Sequence, residues 1–244
     1  MDGTQERCNG KMRINRAISD SGFCSRREAD RIITEGRVTV KGITAELGMT
    51  VSDIREICID GKRLNGTPAA VLIAVNKPKG IVCTTESKEK DNIVSMIGHE
   101  ERIYPIGRLD KDSEGLILMT NDGGIVNRMM RSRYGHEKEY LVTVDRPVTK
   151  AFIERMSSGV PILGTVTKKC IVERIGSRKF RIILTQGMNR QIRRMCEHLN
   201  YNVISLKRVR ILNIELGGLK EGEYRELSGE EKKELFRMTE DSKE

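Results

Sequence analysis

At Asn65-Gly66-Thr67-Pro68 the sequence breaks, and the apolar run that follows, Val71-Leu72-Ile73-Ala74-Val75, is continuous. An apolar run of this length reads as a buried strand. Polar junctions bearing Gly and Pro are where domains part. The break therefore predicts two domains, residues 13–66 and residues 67–227, flanked by a flexible stretch at 1–12 and a charged tail at 228–244. A length of 244 residues suits one small and one medium domain.

The upstream part reads as a small α/β module. Ile14, Ala17 and Ile18 share one helical face, and Gly22 ends that helix. Ser25-Arg26-Arg27-Glu28 has the spacing of a capping box and predicts a second helix through Ala29, Ile32 and Ile33, closed at Gly36. Arg27 and Arg31, four apart, share a different face. Val38-Thr39-Val40 and Ile57-Cys58-Ile59 alternate like strands, turned by Lys41-Gly42 and Asp60-Gly61.

Charge narrows the partner. Lys and Arg number 44 against 35 Asp and Glu, a formal net charge of +9. Nine basic residues between Arg146 and Arg181 meet two acidic ones, and six between Arg190 and Arg210 meet one. Such clustering in the body of the chain predicts a nucleic-acid surface. The six cysteines contain no Cys-x-x-Cys pair and the three histidines no partner at ligand spacing, so neither a zinc site nor a disulfide framework is legible. No apolar run reaches the ~20 residues of a membrane span, and no secretory leader is visible, which predicts a soluble cytoplasmic protein.

Chemistry concentrates in two segments. In Tyr104-Pro105-Ile106-Gly107-Arg108-Leu109-Asp110-Lys111-Asp112-Ser113-Glu114, Pro and Gly lead into a dense polar patch and then an apolar strand, the pattern of a functional loop on a sheet. A calcium loop is a poor match, because counting from Asp110 the twelfth residue is Asn121 where a glutamate is required. Downstream, Gln186-Gly187-Met188-Asn189-Arg190-Gln191-Ile192-Arg193-Arg194 follows the strand-like Phe180–Leu184 stretch. Asn189 suits a helix N-cap, with Ile192, Met195, Cys196 and Leu199 as the buried face. Arg190, Arg193 and Arg194 then crowd the helix start, where charge and dipole together favour phosphate or a carboxylate.

The upstream motifs Arg13-Ile14-Asn15-Arg16-Ala17-Ile18, Gly22–Ala29 and Gly36–Gly42 resemble the S4 RNA-binding domain, though Ile54-Arg55 stands where that family usually has a Gly-Asp turn. Over nearly the whole chain, Asn76-Lys77-Pro78-Lys79-Gly80, Gly107-Arg108-Leu109-Asp110, Glu137-Lys138-Glu139-Tyr140-Leu141-Val142 and Asn189–Met195 resemble, in order, the RsuA/RluB/RluE/RluF family of ribosomal RNA pseudouridine synthases, nearest to its RluF branch. The resemblance implies an α+β fold: the S4-like module, then a catalytic domain on a mixed, largely antiparallel sheet. It implies isomerisation of uridine to pseudouridine in 23S ribosomal RNA by a monomer, with the target base flipped out and neither cofactor nor metal. Asp110 matches the catalytic aspartate, Arg193 the arginine that pairs with it, and Tyr140 the aromatic residue against the uracil. Burial would raise an aspartate pKa above about 3.9, so a cation beside Asp110 must oppose that shift. Attack at C1′, addition to the ring and removal of a ribose proton all stay open as routes. RNA contacts fall to Arg13, Arg26, Arg27, Arg31, Arg108, Asn189, Arg190, Gln191 and Arg194. Two rivals are the same reaction on 16S ribosomal RNA and a non-catalytic RNA-binding assembly factor, which would need no set such as Asp110, Tyr140 and Arg193.

Overall fold

The computed structural model describes residues 10–86, 88–130 and 135–240. Most of the expected N-terminal stretch, residues 1–9, and the end of the expected tail, residues 241–244, lie outside the described residues. Contacts divide the chain into two compact units, the first running to Val71 and taking in Glu100–Arg102 and Asn121–Gly123.

In the first unit, β1 (Met12–Arg13) leads into α1 (Ile14–Asp20) and α2 (Arg26–Thr34), followed by β2 (Val38–Val40), β3 (Ile43–Thr44), β4 (Thr50–Val51), β5 (Ile57–Ile59) and β6 (Lys62–Arg63). Met12 pairs with Val51, so the expected flexible start ends before it. The helix faces read from the sequence meet the sheet order β3-β2-β5-β6, and Ile14, Ile18, Ile32, Val38 and Ile57 form the centre of the core. Lys41-Gly42 and Asp60-Gly61 all take positive φ (52°, 83°, 49° and 77°), the two-residue hairpin turn whose twist suits the strands it joins. Half of the expected capping box forms: Ser25 Oγ accepts from Glu28 N at 3.2 Å, while the Glu28 carboxylate binds Arg31. Where the Gly-Asp turn is replaced, Asp53 caps a single 3₁₀ turn, Ile54–Glu56, by accepting from Arg55 N at 2.9 Å.

The second unit is built on β7 (Leu72–Lys77), α3 (Ile93–Ile97), β8 (Tyr104–Ile106), β9 (Glu114–Thr120), α4 (Gly123–Met130), β10 (Lys138–Val144), α5 (Lys150–Ser158), β11 (Pro161–Ile162), β12 (Thr165–Val166), β13 (Ile171–Gly176), β14 (Lys179–Leu184), α6 (Gln191–His198), β15 (Val203–Ile211), β16 (Ile214–Glu215), β17 (Tyr224–Glu226) and α7 (Gly229–Thr239). The main sheet runs β13-β14-β10-β15-β9-β7-β17, with β16 beside β15 and β8 beside β9. The β15–β9 pair is parallel and the other pairings are antiparallel, the mixed architecture expected. Every residue of β7 is buried, the apolar Leu72–Val75 run and also Asn76 and Lys77 that follow it.

Two apolar cores flank the sheet. One gathers Phe152 of α5, Phe180 of β14 and Met195 of α6, with the two phenyl rings edge to face at 5.2 Å. The other packs α4 and Leu235 of α7 against Leu116 and Leu118 of β9. Residues 229–239 are thus an ordered helix, not a tail, started by a full capping box between Ser228 and Glu231. At the parallel junction Gly115 has φ +104°, and an added Cβ would overlap the Arg208 carbonyl oxygen; glycine lets β9 and β15 close.

Candidate active site

The loop 107–113 joins β8 to β9, which pair with each other, so its two ends are fixed by the sheet. Gly107, at φ +77°, turns the chain out of β8. Inside the loop, Ser113 N donates to Asp110 O at 3.0 Å, and Leu109 is buried, its N–H donating to Cys83 Sγ at 3.4 Å. From the other side Gly80 N donates to Lys111 O at 2.8 Å, while fully buried Lys77 donates from Nζ to Pro78 O and Ile81 O at 2.8 and 2.9 Å. Burial pushes the Lys77 amine down, against the pull of Cys83, Asp112 and Asp110. The Asn-Lys-Pro-Lys-Gly motif thereby holds the aspartate loop from behind.

Facing that loop is the start of α6. Arg190, not Asn189, is its N-cap residue, in the left-handed conformation at φ 50° and with no side-chain cap bond. The Asn189 side chain instead accepts from Arg194 Nη2 at 3.2 Å, and its carbonyl accepts from Arg194 Nε at 3.1 Å. Gln191, expected to touch RNA, is 4% exposed and its amide oxygen accepts from Met188 N at 3.0 Å, so that oxygen is spent on the loop that precedes the helix.

The arginines converge on Asp112. Arg190 donates from both terminal nitrogens to its two carboxylate oxygens at 3.2 and 3.1 Å. Arg193, buried, places Nε 3.3 Å from Asp112 Oδ2 and donates from Nη2 to Asp112 O at 3.0 Å. Burial alone would raise the Asp112 carboxyl, but the Arg190 hydrogen bonds and the charges of Arg193 and Arg190 outweigh it and hold it below the usual 3.8. The expected Arg193–Asp110 pairing is therefore replaced by Arg193–Asp112, and the cation near Asp110 is Arg190, at 3.9 Å. Asp110 itself keeps a free edge, with 36% of its side chain exposed.

Asp110, Arg108, Tyr140, Arg190 and Arg193 line one cavity of about 430 Å³. Tyr140 reaches it from β10, on the same face of the strand as Val142 and Val144, and packs against the core those two residues join. Arg108 is exposed at the rim. The sequence reading missed Lys138 and Arg208, which line the same space. Lys138 stands two residues before Tyr140, on the same face of the strand by alternation. Arg208 was counted among surface charges, yet it is 3% exposed and sits across from Tyr140 in the β10–β15 register.

Of the expected arginines in the first unit, Arg13 and Arg27 are exposed and form no ion pair among the described residues. Arg31 is engaged by Glu28 and by Glu35 at 3.0 Å. Among the described residues no cluster of His, Cys, Asp and Glu could hold a metal, and no helix is long and apolar enough to cross a membrane.

Residues 71–198 match the RNA pseudouridylate synthase family, and residues 12–53 match the S4 domain. The dual-specificity RNA pseudouridine synthase RluF of Escherichia coli (strain K12) is 52% identical over 236 residues, covering 96% of this chain and 81% of that protein. Ribosomal large subunit pseudouridine synthase B of Bacillus subtilis (strain 168) is 32% identical over 240 residues, covering 95% and 98%. A crystal structure of a pseudouridylate synthase superposes with a TM-score of 0.66 at 27% identity, covering 93% of this chain and 99% of that one.

Proposed function

Because the chain belongs to the RsuA/RluF-type family of RNA pseudouridine synthases, we propose that it isomerises specific uridines of 23S ribosomal RNA, acting in the cytoplasm as a monomer on a nucleotide turned out of its helix. The observation that carries the reading is the single cavity lined by both Asp110 and Tyr140, with Arg190 3.9 Å from the carboxylate. Isomerisation breaks the C1′–N1 bond, turns the uracil and rejoins it through C5, so the groups required are a carboxylate able to act as nucleophile or base, a ring platform and a cation beside the carboxylate. A base stacked in a duplex cannot present its C1′ to Asp110 and its ring to Tyr140, and extruding it costs on the order of a few kcal/mol. Phosphate contacts from exposed Arg155, Lys168, Lys169, Arg178 and Lys179, none of which forms an ion pair among the described residues, would offset that cost.

The choice of large-subunit RNA is supported by the Bacillus subtilis relative, named for that subunit, and is weighed against the dual specificity in the name of the Escherichia coli one. Pseudouridine mapping of total RNA from cells with and without the gene decides between them. The expected outcome is loss of one or a few 23S sites, restored by the parent chain and not by Asp110→Asn, which keeps the shape but is neither nucleophile nor base. Loss confined to 16S RNA would establish the small-subunit reading. Restoration by Asp110→Asn would remove Asp110 from the chemistry.

A further inference from the structure

Two cations that line the cavity have no carboxylate partner among the described residues. Arg208 donates from Nε to Leu116 O at 2.6 Å, but its buried Nη2 has no hydrogen-bond partner. Lys138 donates one hydrogen bond from Nζ, to His136 O at 3.2 Å, which leaves two of its three protons uncommitted. Neither residue forms an ion pair among the described residues, whereas Arg210 and Arg181, nearby in sequence or across the strand, are matched by Glu137, Glu139 and Glu173. Leaving a charge buried and unpaired is strongly destabilising. Arg208 is buried and Lys138 beside it is half-buried, and in a cavity that also holds Asp110 and Tyr140 the two mark a place for negative charge that arrives with the substrate.

We propose that Lys138 and Arg208 form a cationic floor that holds the uracil carbonyl oxygens while the base is being transferred, an assignment that rests on the isomerase reading above. When the C1′–N1 bond breaks heterolytically, its electron pair stays on N1 and spreads to O2 and O4. The base then turns, C5 bonds to C1′, the C5 proton leaves and N1 takes one up, so atoms and electrons return to their starting count. If Asp110 adds to C6 instead, the C5=C6 pair moves toward O4, and it returns when the C6–O bond breaks after the transfer and frees the carboxylate. Both courses deliver negative charge to a carbonyl oxygen, and a preorganised donor there is strongest when the surroundings exclude water. Arg208 is fixed by its bond to Leu116 O, and Lys138 is the mobile donor.

Titration gives a handle on the assignment. Burial pushes the Lys138 amine down, the neighbouring Arg208 charge pushes the same way, and it titrates at about 8. The other charged or titratable groups lining the cavity are Arg108 and Asp110 from the loop, Arg190 and Arg193 at the start of α6, and His136 and Tyr140 beside Lys138 on its own segment. Lys138 is cationic below about pH 8 and loses its charge above it, so kcat/KM of the parent enzyme should fall with an alkaline limb near that value.

The test measures single-turnover pseudouridine formation and RNA affinity for the parent, Lys138→Met and Lys138→Arg across that range. Lys138→Met should slow the chemical step about 100-fold, the order found for removing one charge-stabilising donor, with RNA Kd within about threefold. Its alkaline limb should disappear. Lys138→Arg should recover part of the rate and move the limb upward, because a guanidinium stays charged. A rate within about threefold of the parent for Lys138→Met, or a limb that stays near pH 8 in that variant, overturns the proposal. If Lys138→Met fails to fold by melting curve, a Lys138→Arg limb left where the parent has it overturns the proposal equally. A parent that makes no pseudouridine in any RNA would instead defeat the isomerase reading, a distinguishable result.

Discussion

Asp112 is the residue on which the arrangement of this site turns. Its carboxylate takes Arg190 through both oxygens and Arg193 through one, so the two arginines are positioned by a group that is itself 48% exposed. An exposed carboxylate contributes modestly to stability, but it leaves Arg193, with 9% of its side chain exposed, carrying a charge that needs a partner. Asp112→Asn should therefore slow turnover about tenfold by loosening both arginines. Arg193→Met should slow it more, with RNA affinity nearly unchanged. In the double variant the two effects should fall short of additive by about 1 kcal/mol, since both break one network. Single-turnover rates for the four proteins measure this coupling, and strictly additive losses would show that Arg193 acts independently of Asp112. The pH dependence follows from the direction of the shift. A carboxyl held below its ordinary value of 3.8 stabilises the fold above that value, and the contribution drains away as pH falls through the folded-state titration. Any gap in melting temperature between parent and Asp112→Asn at neutral pH should close as the pH drops below 3.8.

Among the elements, those with strong periodicity were legible: α1, α2, β2, β5, β7 and β14 lie where spacing put them, because a single buried face dictates each. The misses share a cause, which is polar residues doing buried work. Residues 228–240 read as a tail because charge dominates, although Ser228 and Glu231 have capping-box spacing and Leu235 is fully buried. β15 hid because Lys207, Arg208 and Arg210 read as surface, and only the β9 and β10 pairings show Arg208 turned inward. The start of α6 was misread by one residue: Asn189 had the right chemistry for a cap, but Arg190 takes the left-handed turn and Gln191 satisfies the loop. The parallel junction of β9 with β15 gives an element-scale prediction. Gly115→Ala would place a Cβ into the Arg208 backbone at φ +104°, adding strain to overlap. It should cost about 2–5 kcal/mol and lower Tm by roughly 5–15 °C. Gly218→Ala, with open space around it, is the control and should shift Tm by only about a degree. Equal melting of parent and Gly115→Ala in a calorimetric scan would mean that the two strands can part without loss.

At the scale of the whole molecule, a net charge of +9 points to a class of partner without locating its surface, because the sequence does not say which cations are already neutralised. Arg146 lies against Asp145, Arg181 against Glu139 and Glu173, and Arg210 against Glu137 and Glu139, so three of the fifteen basic residues between Arg146 and Arg210 are already matched by these carboxylates. The same sorting applies to the first unit. Arg31 is held between Glu28 and Glu35, while Arg13 and Arg27 are exposed and form no ion pair among the described residues. An arginine already matched by carboxylates releases few counterions when phosphate approaches, whereas an unmatched one releases about 0.7 to 0.9 per contact. Affinity for RNA should therefore depend on salt in a residue-specific way. Substituting Arg13 and Arg27 together by Ala should reduce the slope of log K against log salt by about 1.4 to 1.8, if each meets one phosphate. Arg31→Ala should reduce it by less than either single change. Substitution is preferable to deleting the first unit, because that unit also takes in Glu100–Arg102 and Asn121–Gly123, which a truncation would leave without their neighbours. Binding isotherms over a range of salt concentrations, with the parent and the Arg13/Arg27 double variant, read the slopes directly. The maximal rate at saturating RNA should stay near that of the parent, since neither arginine lines the Asp110 cavity. Unchanged slope and affinity would show that Arg13 and Arg27 do not touch RNA, and would leave recognition to other exposed cations such as those around β12 to β14.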